Sequence, residues 1–438
     1  MKENRFYEAF DVIILLSVLV LVTIGIAFIY SSGINSEGVL VTNEYVKQIV
    51  WAGIGLSFLV FFALYDYRRF ERPAYWFFLA LILVLIYTRI FGRYVNGARS
   101  WLGIGDFGIQ PSEFGKIVFI FTLAKYLDVS EDENPVKRLF ISSAIFGLPV
   151  LLILSQPDMG TASVYIPIFF LMCFMAGLPL RYLMFLFGSG AMVIVFTILP
   201  VWNEYIAHNS AVFVTALTNL KLKIILILAC GAVTLISIVV RRYFGGKKYF
   251  YWIAYGFLLV TIGLIFSTFA GKVLKDYQIK RLIVFMDPSV DPLGAGWNII
   301  QSKIAIGSGG PFGRSFLHGT QSHYRFLPQQ STDFIFSILS EELGFAGGAF
   351  VFVLYLVLMI RTIFIIKNCS NSFGIYIASG ILGLLFIHFF INVGMVMGIM
   401  PITGIPLLFL SYGGSSLLTV MTCMGLLMSI NYRKKDLY

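Results

Sequence analysis

The feature that most limits what this chain can fold into is its series of apolar stretches of bilayer length. They fall at roughly 12–31, 48–65, 74–91, 113–127, 139–155, 160–177, 180–200, 222–240, 249–269, 333–360, 373–396 and 405–430. A helix needs about 20 residues to cross the hydrocarbon core. The pattern therefore predicts an all-α, polytopic integral membrane protein with about twelve transmembrane helices, folded as one membrane domain over residues 1–438. Composition points the same way, with 58% of residues hydrophobic, 12% charged, and 43 Phe and 23 Tyr. A soluble body of that composition would have nowhere to bury its apolar surface. The first span follows Met1-Lys2-Glu3-Asn4-Arg5, and no Ala-x-Ala site closes it, so a retained span is expected.

A net charge of +10 would suggest nucleic acid in a soluble chain. Here the basic residues sit between spans, where they set orientation, so no nucleic-acid partner is expected. With the N-terminus inside, Arg68-Arg69-Phe70-Glu71-Arg72, Lys137-Arg138, Arg181, Arg241-Arg242 with Lys247-Lys248, Arg361 with Lys367, and Arg433-Lys434-Lys435 all fall on the cytoplasmic side. Every inner loop then carries positive charge. Cys173, Cys230, Cys369 and Cys423 show no CxxC or Cys/His spacing, and His208, His318, His323 and His388 are scattered, so free thiols and no metal site are expected.

The same topology puts the long polar segment from Phe269 to Gln330 outside, before the last three spans. It carries Lys272, Lys275, Lys280, Arg281, Lys303, Arg314 and Arg325 against Asp276, Asp287 and Asp291. Its glycines, in Asp291-Pro292-Leu293-Gly294-Ala295-Gly296 and Gly307-Ser308-Gly309-Gly310, permit tight turns and close backbone approach to a ligand. Tyr277, Phe285, Trp297 and Phe326 argue against disorder. A basic outer loop calls for a reason beyond topology.

Polar groups at membrane depth are costly and default to functional candidates. Gln110-Pro111-Ser112-Glu113-Phe114-Gly115-Lys116 suits a helix start, with Glu113 and Lys116 on one face. Gln156-Pro157-Asp158-Met159-Gly160-Thr161 puts a carboxylate at the opening of the sixth span. Ser411-Tyr412-Gly413-Gly414-Ser415-Ser416 interrupts the last apolar run, nearer its outer half. On this topology the clusters can share one outward-facing cavity with the loop. Each also has a structural reading: an intrahelical ion pair, an N-terminal cap at Asp158, a close-packing patch at Ser411–Ser416. Asp333 can be a first-turn acid behind a Ser331 cap. Trp101 can be an interfacial anchor.

Together, Asn96–Leu102, Gln110–Lys116, Gln156–Thr161, Asp287–Gly296, Thr332–Phe336 with Glu341-Glu342-Leu343-Gly344, and Ser411–Ser416 resemble the motifs of the SEDS family (shape, elongation, division and sporulation), in family order over nearly the whole chain. The resemblance implies a peptidoglycan glycosyltransferase in the bacterial cytoplasmic membrane that polymerises lipid II at the outer face during cell-wall elongation and shape maintenance. It also implies a class B penicillin-binding protein as crosslinking partner. The family's essential carboxylate falls on Asp333. The chain departs from the family in an extra hairpin somewhere in 180–250, and in Gln329-Gln330-Ser331, where the family has an acidic residue and a histidine before Thr-Asp. Trp297 stands where the family has Tyr.

Joining lipid-linked disaccharides needs a base for the attacking hydroxyl and positive charge for the departing diphosphate. Asp333 is the expected base. Lys116, then Arg99 and Lys303, are the expected diphosphate contacts. Glu113, Asp158, Gln156, Trp101 and Ser415 complete the expected substrate site. No cofactor is assigned from the residues, and a divalent cation sharing the diphosphate is compatible with this chemistry. A flippase for the lipid-linked precursor is the main competing reading, since charges in spans and broken helices also mark transporters. The absence of an internal repeat and the gathering of polar groups at one face favour the enzyme. A non-catalytic scaffold would leave the loop's basic character unexplained.

Overall fold

A computed structural model describes residues 10–95, 97–104, 107–203, 212–243, 248–273, 281 and 283–434. Of the residues singled out above, Met1 to Arg5, Asn96, His208, Lys247, Lys275, Asp276, Tyr277, Lys280 and Lys435 lie outside the described residues. The helices are α1 (Val12–Ser32), α2 (Glu44–Leu64), α3 (Ala74–Phe91), α4 (Pro111–Val129), α5 (Pro135–Ser155), α6 (Met159–Met175), α7 (Leu180–Trp202), α8 (Val212–Thr218), α9 (Leu220–Tyr243), α10 (Lys248–Val273), α11 (Ala295–Gly309), α12 (Thr320–His323), α13 (Ile335–Asn368), α14 (Ser372–Val396) and α15 (Gly414–Tyr432). Among the described residues, 10 helices are long and apolar enough to cross a membrane. Two more cover the expected spans at 113–127 and 160–177: α4, which carries Glu113, Lys116, Lys125 and Asp128, and α6, which has 17 residues.

Two compact units form, Met1–Leu178 with Gln301–Tyr438, and Pro179–Ile300. In the first, α14 and α15 are central, with 78% and 89% of their apolar stretches buried. α15 packs on α2, and α14 lies between α4, α6 and α13. One end of this unit collects charge. Asp11 pairs with Arg361 at 2.6 Å, Arg433 donates to Leu64 O at 2.6 Å, and Arg138 closes the last turns of α4 and α6 by donating to Leu127 O and Ala176 O. The Arg68, Arg361 and Arg433 regions, assigned to one side by charge, do share one end of the unit.

Hydropathy gave no sign of a small antiparallel sheet between α3 and α4, with β1 (Arg93–Val95), β2 (Ala98–Ile104) and β3 (Phe107–Ile109) in the order β1-β2-β3. Nor did it show that α13 is broken. Gly344 sits at φ 67°, and a Cβ there would come within 2.3 Å of Gly313 N. The loop at 310–315 takes up the groups freed by the break. Phe345 N donates to Gly310 O at 2.8 Å, and Arg314 N and Ser315 N donate to Glu341 O and Glu342 O, both at 3.1 Å. The Glu341 carboxylate accepts from Thr320 N and Gln321 N, at 2.7 and 2.9 Å, and so caps α12.

The expected last span, 405–430, is corrected. Helix α15 starts at Gly414, and residues 401–413 form an irregular segment buried from Leu407 to Ser411. Irregular backbone at this depth is tolerated where protein groups satisfy it. Gln48 Nε2 donates to Ser411 O at 3.2 Å, Leu407 N donates to Ser411 Oγ at 2.8 Å, and Tyr355 OH donates to Leu408 O.

Candidate active site

Pro111 opens α4 with a preset φ, and Glu113 and Lys116 follow three residues apart. Their Oε1 and Nζ lie 2.6 Å apart, and the residues are 4% and 1% exposed. Lys116 Nζ is also 3.1 Å from His388 Nε2 on α14, while His388 Nδ1 is 3.0 Å from Pro406 O. One protonation pattern satisfies all of these contacts. Nδ1–H donates to the carbonyl, and the lone pair of Nε2 accepts from the ammonium, so His388 is neutral.

Asp158 is the N-cap of α6, with Oδ1 accepting from Thr161 N at 3.0 Å. Its Oδ2 accepts from Thr161 Oγ1 at 2.9 Å and from Gln110 Nε2 at 2.7 Å. The main-chain N of Gln110 donates to Ser415 Oγ at 3.1 Å. Three helix starts, those of α4, α6 and α15, are thereby joined.

Asp333 precedes α13. The N-cap is Phe334, without a side-chain capping bond, which corrects the first-turn placement of Asp333 behind Ser331. Asn392 on α14 donates from Nδ2 to Asp333 O at 3.0 Å and to Ile405 O at 2.8 Å. The Asp333 carboxylate lies beside Gly404, where a Cβ would stand 3.5 Å from Oδ2 on a backbone at φ 71°. A Cβ on Gly160 would stand 2.5 Å from Thr403 O, so α6 abuts the same segment. Residues 401–413 are the piece on which Asp333, the start of α6 and the Lys116–His388 contact all converge.

Other expected site residues take structural or peripheral places. Gln156 is fully buried and donates to Leu85 O at 2.9 Å. Ser415 is buried as the acceptor from Gln110. Arg99 and Trp101 alternate with buried Ser100 on β2, so they share a face of the sheet, Arg99 exposed and Trp101 against Gly108. Lys303 is exposed on α11, beside buried Ser302, whose Oγ bonds Ser337 Oγ and Val396 O at 2.7 Å each. Sequence reasoning passed over His388 and Asn392. The available signal was two polar residues four apart, hence on one face, inside the apolar span 373–396. Among the described residues, no group of three His, Cys, Asp or Glu side chains is placed to hold a metal ion.

A multi-pass helical body that closes over an irregular segment, a buried ion pair and an adjacent acid defines a class of membrane protein with an internal polar site at one end. Residues 11–221 and 222–436 match the FtsW/RodA/SpoVE family of cell cycle proteins, and the chain belongs to that family, as its motifs led us to expect. It is 53% identical over 425 residues to the peptidoglycan glycosyltransferase RodA of Treponema pallidum, covering 97% of this chain and 98% of that protein. It is 32% identical over 391 residues to the peptidoglycan glycosyltransferase MrdB of Escherichia coli K12, covering 89% and 86%. Among solved structures, it resembles a chain of a peptidoglycan synthase complex described as coordinating polymerization and crosslinking. That match has TM-score 0.66 and 25% identity over 98% of this chain and 99% of the other.

Proposed function

We infer that this chain is a peptidoglycan glycosyltransferase that polymerises lipid II into glycan strands during cell-wall elongation. Its relatives at 53% and 32% identity are named peptidoglycan glycosyltransferases, which supports the reading. The observation that carries the mechanism is the suspension of Asp333 and the Glu113–Lys116–His388 chain from one buried segment, through Asn392 and Pro406. Asp333 is half-exposed beside a glycine and so can reach a sugar hydroxyl and take its proton. Lys116, at 1% exposure and paired with Glu113, acts from inside the protein, where it holds the Pro406 segment through His388. The exposed Arg99 and Lys303 are the groups able to meet the leaving diphosphate directly, and Trp101 offers a face for the sugar. Asp158 holds Gln110 and the start of α6 in place around them.

A divalent cation would be held by the half-exposed Asp333 carboxylate together with diphosphate oxygens, since both oxygens of Asp158 are engaged, and it would neutralise the leaving group. The active site is proposed to face the extracytoplasmic side, because the charged end of the Met1–Leu178 and Gln301–Tyr438 unit carries the basic loops. Residues 269–330 are proposed as the outer loop and 180–250 as the region of the added hairpin. A class B penicillin-binding protein is proposed as the crosslinking partner, since a chain of a synthase complex shares this fold. Purified protein supplied with lipid II tests the reading. Glycan chains are expected, whereas lipid movement without chains would mean a flippase and neither would mean a scaffold.

A further inference from the structure

The Pro179–Ile300 unit holds a cavity of about 240 Å³ where the end of α7, α8, the start of α9 and the end of α10 meet. Phe196 and Leu217, packed with Leu264, form its apolar side. Thr197, Thr218, Ser267, Thr268 and Lys223 line the rest. Lys223 is 7% exposed, and its ammonium has no hydrogen-bond or ion-pair partner among the described residues. Among the described residues, the other two buried Lys and Arg side chains are satisfied. Lys116 has Glu113 and His388, and Arg138 has Ser130 and two carbonyls.

An ammonium with no hydrogen-bond or ion-pair partner among the described residues, carried on a mostly buried side chain that lines a hydroxyl-bearing cavity, is suited to an anion. The four hydroxyls donate to carbonyls of their own helices at 2.7 to 3.0 Å. Such protons can rotate toward a closer oxyanion, giving up bonds that contribute little to the helix. Next to Lys223, α9 presents Leu220, Ile224 and Leu228, which are 59%, 46% and 66% exposed and four residues apart on one face. An acyl chain can lie along that strip.

We propose that this cavity binds the phosphate of an anionic membrane lipid, with Lys223 as its charge partner and the Ser267, Thr268, Thr197 and Thr218 hydroxyls as donors. None of its lining residues is among those assigned to polymerisation.

The test uses the full-length protein in detergent, offered phosphatidylglycerol, phosphatidylcholine or inorganic phosphate and read by native mass spectrometry. The wild type should retain phosphatidylglycerol over phosphatidylcholine by at least about tenfold, as one charge-assisted hydrogen bond allows. Lys223→Met should lose that preference while melting no lower in the absence of lipid, because it removes an unpaired charge. Lys223→Arg should keep it. Ser267→Ala, which leaves the cation in place, should weaken it by a smaller factor, and inorganic phosphate should compete with the lipid. Equal retention by the wild type and both Lys223→Met and Ser267→Ala would overturn the proposal and leave Lys223 reaching toward an aqueous boundary. Lys223-dependent phosphate binding with no lipid preference would refute the lipid and leave a free-ion site.

Discussion

The central helices of the larger unit and the helices of the Pro179–Ile300 unit solve the same problem, polar groups within apolar helices, in opposite ways. In α14 and α15, where 78% and 89% of the apolar stretches are buried, the polar groups His388, Asn392 and Ser415 each bind a group on another element. In α7 and α9, only 11% and 17% is buried, and hydroxyls such as Thr197 and Thr234 fold back on their own helices. The difference teaches that the centre adds polar residues that hold segments together to self-satisfied ones such as Ser379 and Thr422, whereas the described polar groups of the other unit mostly satisfy themselves and leave the outer surface to lipid. It also explains why Lys223, a buried basic side chain of the second unit without a partner among the described residues, stands out.

The comparison can be broken most sharply at Lys116. Lys116→Met strands Glu113 in the interior and should cost about 3–5 kcal/mol, read as a large drop in the melting temperature of the purified protein. Pairing it with Glu113→Gln should recover part of the loss, so the double-mutant cycle should be non-additive. A loss no larger than that of Lys223→Met would erase the contrast between the units.

Asn392→Ala should come next. It removes two donated bonds and leaves Asp333 O and Ile405 O without that donor, costing about 1–3 kcal/mol. Because it loosens the segment beside Asp333, glycan synthesis should slow as well, in a rate assay run below the melting point. Gln156→Leu sharpens the assignment of a buried tie. About 1–2 kcal/mol of stability should be lost with the apparent affinity for lipid II unchanged. A change in affinity at normal stability would return Gln156 to the substrate. Smallest is Arg241→Ala in the second unit. Arg241 lies 5.0 Å from the Tyr251 ring centroid, and its removal should cost about 0.5–1 kcal/mol, within reach of careful denaturation only.

Much of this architecture was legible in the sequence because spans are written in length and hydropathy, the coarsest signals a chain carries. The Glu113–Lys116 pair was legible for a similar reason, since a spacing of three fixes neighbours on a helix. What joins them was not. His388 reaches Lys116 across 272 positions of sequence, and no local pattern encodes such a contact. The segment 401–413 was misread because Leu407, Leu408, Phe409 and Leu410 look helical by hydropathy. Pro401, Gly404, Pro406 and Gly413 were the punctuation that argued otherwise. The strands at 93–109 are short and follow an aromatic helix end, so no period-two run announced them.

The central claim is that Asp333 is a base held in place by its neighbours and not a structural acid. Asp333→Asn preserves shape and the main-chain oxygen that Asn392 binds, so a structural role carried by that oxygen would survive it with about 1 kcal/mol or less lost. An amide cannot accept the sugar hydroxyl's proton, and loss of a general base costs about 10²–10⁴-fold in rate. The decisive measurement takes melting temperature and glycan formation from lipid II on the same purified variant. The account predicts near-normal melting with synthesis down by at least about 100-fold. Near-normal synthesis would contradict it and move the search for the base to Asp158 or Glu113.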